Sequence, residues 1–156
     1  MNTSNTLTSN AHWLLRIALA IVFIYHGILK LLNLEGFAAM LPISYFEVVL
    51  VALAEAGGGL LVLIGGFSSR RIFDLATRVG ALLNIPVMIG AIVLVHWGQW
   101  NFLASETHPM GGIQFQTVLI LIMAYLAIVG NQGIAPVKTL VRFPDAGSDL
   151  AQGAAK

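Results

Sequence analysis

Two residues with useful chemistry, His26 and Lys30, stand four apart in the apolar run Arg16–Lys30, RIALAIVFIYHGILK. That spacing puts both on one face of a helix. A carboxylate, Glu55, interrupts the next apolar segment. Ionisable groups inside membrane-spanning segments are costly, and by default they mark function. Histidine and lysine donate hydrogen bonds, while glutamate and histidine take or pass protons. A quinone headgroup asks for that combination: donors to its carbonyl oxygens and a proton acceptor when the quinol is oxidised. Glu55, His26 and Lys30 are therefore the candidate catalytic residues. His26, Lys30, His96 and Gln114 are the candidate ligand-binding residues, with apolar walls to hold an isoprenoid tail.

The composition says what must position them. The chain has 156 residues, 58% apolar and 10% charged. A soluble domain carries about 25% charged residues, so an integral membrane protein is expected. At about 20 residues per span, the length allows four helices, short loops and two tails. The expected fold is all-α, a transmembrane four-helix bundle. A net charge of +1 gives no footprint for nucleic acid. With no cysteine, disulfides, thiolate zinc sites, iron–sulfur ligation and thiol chemistry are excluded within this chain.

In chain order, residues 1–12 read as a flexible polar tail and 13–133 as the four-helix domain. The first helix is expected from about Trp13 to Leu32. Its apolar run is longer than the core of a signal peptide and ends in Lys30, so it reads as a retained span. Asn33–Ser44 forms a loop, with Glu35, Gly36 and Pro42 as turn signals. The second helix runs from about Tyr45 to Phe67. Its triplet Gly57-Gly58-Gly59 suits close helix packing, or else close approach of a ligand. Ser68–Arg78 is a basic turn in which Asp74 and Arg78 can pair. The third helix reaches about Trp97; Pro86 is expected to kink it, and Asn84 to bond a neighbouring helix. Gly98–Gly112 is the longest loop, expected to be flexible, with Trp97 and Trp100 at an interface. The fourth helix spans about Ile113–Val129 and starts with Gln114 and Gln116. Residues 134–156 are expected to hold a short amphipathic turn (Val137, Leu140 and Val141 against Lys138 and Arg142) and then a disordered end.

Four spans place the amino tail, the second connection and the carboxyl tail on one side. That side carries Arg16, Arg70, Arg71, Arg78, Lys138, Arg142 and Lys156; the other has Lys30 alone. The positive-inside rule then puts both termini in the cytoplasm. His26 would lie about 6 Å deeper than Lys30, and Glu55 roughly 15 Å down its own helix. A lone carboxylate there must be neutral, wet or paired. His96 and Gln114 fall at the same outer level, which is the main reason to expect one site.

Plainer roles compete. His26, Lys30 and Glu55 can form a buried network that only fixes helix register, and His96 and Gln114 can be ordinary interfacial residues. Two histidines, His26 and His96, are slender grounds for bis-imidazole haem, so haem is not expected. His96, Glu106 and His108 match no standard metal spacing, so no metal is expected. A small-solute transporter is disfavoured because four spans leave little bundle to rock.

Arg16, His26-Gly27 and Lys30, then Ala54-Glu55-Ala56-Gly57-Gly58-Gly59, then Leu63-Ile64-Gly65-Gly66-Phe67-Ser68-Ser69-Arg70 resemble the DoxX/DoxD-like membrane protein family. The resemblance covers about Arg16 to Gly133. It implies a four-helix membrane protein of a bacterial or archaeal cytoplasmic membrane. It also implies a link to respiratory redox complexes, as in the DoxD subunit of a thiosulfate:quinone oxidoreductase. The expected function is a small membrane subunit with a quinone or similar pocket near the outer face; a non-catalytic scaffold subunit is the alternative. The expected partners are the bilayer and other redox subunits, or further copies of this chain. Gln114 stands where many relatives carry an acidic residue.

Overall fold

A computed structural model describes residues 10–132. The tail beyond residue 132, with its expected amphipathic turn, lies outside the described residues, as do residues 1–9. The described chain is helical, with no strand: α1 (His12–Leu32), α2 (Leu34–Met40), α3 (Tyr45–Gly65), α4 (Arg71–Ala91) and α5 (Gln114–Val129). Three helical stretches are long and apolar enough to cross a membrane: α1, α3, and α4 with the turn that extends it to His96. Twenty-one residues rise about 31 Å, close to the thickness of a bilayer core. The fourth apolar helix, α5, is shorter at 16 residues.

Each start and stop has a local cause. Ser44 and Glu47 form a reciprocal capping box that opens α3. Asn33 ends α1, and its side chain accepts from the Gly36 N–H to start α2, where the sequence suggested only a loop. The α4 helix runs on through Pro86 and ends in a five-residue π-helical turn, Ile92–His96. α5 stops at Gly130, whose φ of +58° falls in the left-handed region that favours glycine.

The core is a stripe from every long helix: Leu19 and Phe23 of α1, Val62 of α3, Ala81 and Met88 of α4, and Leu119, Met123 and Leu126 of α5. α1 packs along α3, α3 along α4 and α4 along α5, while α1 and α5 barely meet. Glycines set the close crossings. A Cβ on Gly27 would sit 2.5 Å from the Ala56 nitrogen, and one on Gly80 would sit 2.6 Å from the Gly58 oxygen. Of the expected triplet, Gly58 and Gly59 serve packing, while a Cβ on Gly57 would meet nothing within 4 Å.

Between the helices, Asp74 and Arg78 pair at 2.8 Å as their spacing suggests. Asn84 departs from expectation. Its one hydrogen bond is a long 3.5 Å contact to Gly80 O of its own helix, and Oδ1 has no partner among the described residues. The amide packs against Gly58 of α3, where an added Cβ would sit 2.5 Å from Asn84 Nδ2. The Gly98–Gly112 loop, expected to be flexible, is tied. Gln99 Nε2 donates to Leu103 O, and the N–H groups of Gly112, Ile113 and Gln114 donate to Asn101, Gln99 and Trp100. Trp97 and Trp100 are exposed, as interfacial indoles would be.

Candidate functional site

Close packing of α1 on α3 at Gly27 brings two charged side chains face to face. Glu55 belongs to the buried stripe Val48, Ala52, Glu55, Gly59 and Val62 of α3, spaced for a single face. Lys30 belongs to the α1 stripe Arg16, Phe23, Gly27 and Lys30. Lys30 Nζ donates to Glu55 Oε2 at 2.6 Å, with the two residues only 9% and 3% exposed. A buried pair of this kind is expensive to desolvate, and it is held only because each partner cancels the other's charge. The short α2 helix swings Phe37 to within 5.5 Å of the ammonium, adding a cation–π contact.

The pair opens onto a cavity of about 570 Å³, within the about 300–1,000 Å³ usual for small-molecule sites. Its walls come from α1, α2, α3, α4 with its π-helical turn, the Gly98–Gly112 loop and α5. Most of the lining is apolar: Val22, Phe23, Met40, Leu50, Val51, Val87, Leu94, Phe115 and Leu119 are on it. The polar groups on the wall are His26, Lys30, Glu47, Glu55, His96 and Gln116. Glu47 is exposed and occupied with capping Ser44. His96 is buried, and its Nδ1 lies 2.9 Å from Gly111 O. Its place at the end of a π-helical turn fits the tendency of such turns to occur at functional sites.

Four of the five residues singled out in the sequence thus face one space. His26, however, shares that wall without a hydrogen bond to Lys30 or Glu55 among the described residues. It sits one position off the buried α1 stripe, more exposed and edge-on to Tyr25. Gln114 requires a correction: it is not on the cavity wall, and Gln116 is. Residues two apart on a helix point about 200° apart. Gln116, by contrast, is in step with the buried Leu119, Met123 and Leu126. That shared period was the signal in the sequence that could have chosen it. His96, Glu106 and His108 do not gather: His108 uses Nε2 on Trp97 O, at 2.8 Å, and Nδ1 on Thr107 Oγ1, at 3.0 Å.

A second polar cluster, at the opposite end of the bundle, was not foreseen. Arg16 is fully buried. Its guanidinium donates to Val62 O at 2.8 Å, Thr77 Oγ1 at 2.7 Å, Asn131 Oδ1 at 2.7 Å and His12 Nδ1 at 3.1 Å. Asn131 in turn donates from Nδ2 to Gly65 O and Ser68 O and from its backbone to Asp74 Oδ1. Arg78 closes the knot by donating to the final carbonyls of α5.

The DoxX family pattern matches residues 11–97, which takes in α1 to α4 and the His96 turn. The chain belongs to the DoxX family. As a DoxX protein it is an integral membrane protein, in keeping with its three spanning helices. A Bacillus subtilis (strain 168) relative, named "Putative oxidoreductase CatD", is 30% identical over 125 residues, covering 78% of this chain and 81% of the relative. No solved structure matches.

Proposed function

We propose that this DoxX protein is the membrane subunit of a quinone-linked redox system, and that the Lys30–Glu55 cavity receives the quinone headgroup. One observation carries this: a buried ion pair, a buried histidine and an unpaired buried amide converge on one apolar-walled cavity. The fit is chemical as well as spatial. Lys30 spends one N–H on Glu55 and has others to give to a ligand oxygen. Glu55 Oε1 has no protein hydrogen bond among the described residues and can accept from a hydroxyl. His96 is also on the wall, while Leu50, Leu94 and Leu119 offer an apolar bed for a tail. A bound quinone supplies two-electron, two-proton chemistry. The chain's own groups orient the headgroup and offer proton acceptors, and electrons pass to or from a partner subunit. The oxidoreductase description of the Bacillus relative agrees with this reading.

One observation favours the plainer role of a scaffold. Lys30 and Glu55 neutralise each other's charge across α1 and α3, as a register lock would. Replacing Glu55 with Gln separates the two. At a quinone site, the Glu55→Gln subunit still assembles with its native partners, and quinone-dependent turnover drops at least tenfold. A scaffold gives the reverse: poor assembly, with normal turnover in whatever complex forms.

A further inference from the structure

The hydrogen bond between His96 Nδ1 and Gly111 O fixes more than the position of the ring. A carbonyl oxygen only accepts, so the hydrogen must be on Nδ1. In the neutral ring, Nε2 is then a bare acceptor, and among the described residues it has no protein donor. Gly111 is well placed to hold this state. Its φ of +75° keeps the backbone in the left-handed region, and its amide is anchored to His108 O at 2.9 Å.

Gln116 lies on the same wall, 8% exposed, with Oε1 unpaired. Its side-chain amide makes no hydrogen bond among the described residues, so either end can turn to a ligand. Lys30 supplies donors to the cavity, and His96 supplies an acceptor.

We infer that His96 Nε2 makes the cavity selective for a ligand carrying an aromatic O–H, so that it binds the reduced, hydroxyl-bearing member of a quinone/quinol couple more tightly than the oxidised member. This rests on the quinone-site reading and adds the preferred form and the residue that sets it. A quinol satisfies both groups: one oxygen accepts from Lys30 and the other O–H donates to Nε2. A quinone has only acceptors, so an oxygen placed at His96 Nε2 would face lone pair against lone pair. Sites built around a ligand hydroxyl reject analogues that lack it, because the protein's own buried group is then left unpaired. Tenfold tighter binding of the reduced form raises the potential of a bound two-electron couple by about 30 mV.

The test uses the full chain in lipid nanodiscs under anaerobic conditions. The probes are a short-chain alkyl benzoquinol, the corresponding benzoquinone and the dimethyl ether of the quinol. The quinol is expected to bind at least tenfold more tightly than the quinone, and the dimethyl ether no more tightly than the quinone. In His96→Phe the quinol is expected to bind no more than about threefold more tightly than the quinone. Nitrogen NMR of the histidine rings is expected to place the His96 proton on Nδ1. Equal or tighter binding of the quinone overturns the inference, and so does a quinol preference that survives His96→Phe. If His96→Phe fails to fold, the dimethyl ether comparison on the unaltered protein decides alone. Failure of all three probes to bind overturns the quinone site itself, and this inference with it.

Discussion

Arg16 and Lys30 are cations buried on the same face of α1, about four turns apart, and the bundle treats them in opposite ways. Arg16 is wrapped by acceptors from α1, α3, α4 and Asn131 just beyond α5, and four of its five N–H groups are spent. One N–H, on Nη2, is all that remains, and Arg16 is not on the wall of the cavity. Lys30 has a single carboxylate partner and an aromatic ring, and faces a cavity where other polar groups have spare hydrogen-bonding capacity. A saturated network locks helices together; an unsaturated one of similar burial has something to bind. Charge in a membrane helix is thus not enough to identify a site. What counts is how many of a group's valences the protein itself uses.

Substitutions at the two ends should separate accordingly. The largest effect is expected from Arg16→Leu. It strips donors from Thr77, Asn131 and the Val62 carbonyl, and each buried acceptor left bare costs about 1–3 kcal/mol. A loss of about 3 kcal/mol or more should appear in chemical unfolding in detergent, with quinol affinity unaltered in the fraction that folds. Matching ligand and stability losses would blur the proposed division between the ends. Glu55→Gln comes next. Its carboxamide still accepts from Lys30 but no longer cancels the buried ammonium's charge, so a stability loss of about 3 kcal/mol is expected, with ligand affinity down at least tenfold. Gln116→Leu is smaller and opposite in sign. Removing an unpaired buried oxygen at nearly constant volume should stabilise the ligand-free protein by about 1 kcal/mol, while weakening quinol binding a few-fold. Destabilisation there would mean that Gln116 has a structural partner. The smallest effect belongs to Gln114→Ala, within about 0.5 kcal/mol in stability and without change in binding.

Much of this was legible in the sequence. The four apolar helices followed from run lengths, and the need for a partner to Glu55, either Lys30 or His26, followed from the cost of a lone carboxylate in an apolar segment. Depth along a helix was also readable, since rise per residue is constant. Direction around the helix was less so. Gln114 and Gln116 lie at nearly one height but on different faces, and only the step to Leu119, Met123 and Leu126 tells them apart. Arg16 looked like a topology marker because a basic residue near a helix end usually reaches water. Its burial depends on Thr77 and on Asn131, which is 115 residues away in sequence, and no local pattern announces such a partner. The π-helical turn and the seven-residue α2 were hidden for a related reason: tertiary packing, rather than propensity, sustains elements that short.

Gly90 offers the most direct measurement of whether the Lys30 end is a binding site. It lines the cavity, and a Cβ added there would meet nothing within 4 Å. A Gly90→Phe side chain therefore starts in open space on the cavity wall and puts a ring where a ligand would sit. Quinol binding and chemical unfolding should be measured on the same nanodisc-purified protein, with and without this substitution. The expected result is at least a tenfold loss of binding with unfolding unchanged. Undiminished binding in a correctly folded Gly90→Phe protein would contradict a ligand site in this cavity.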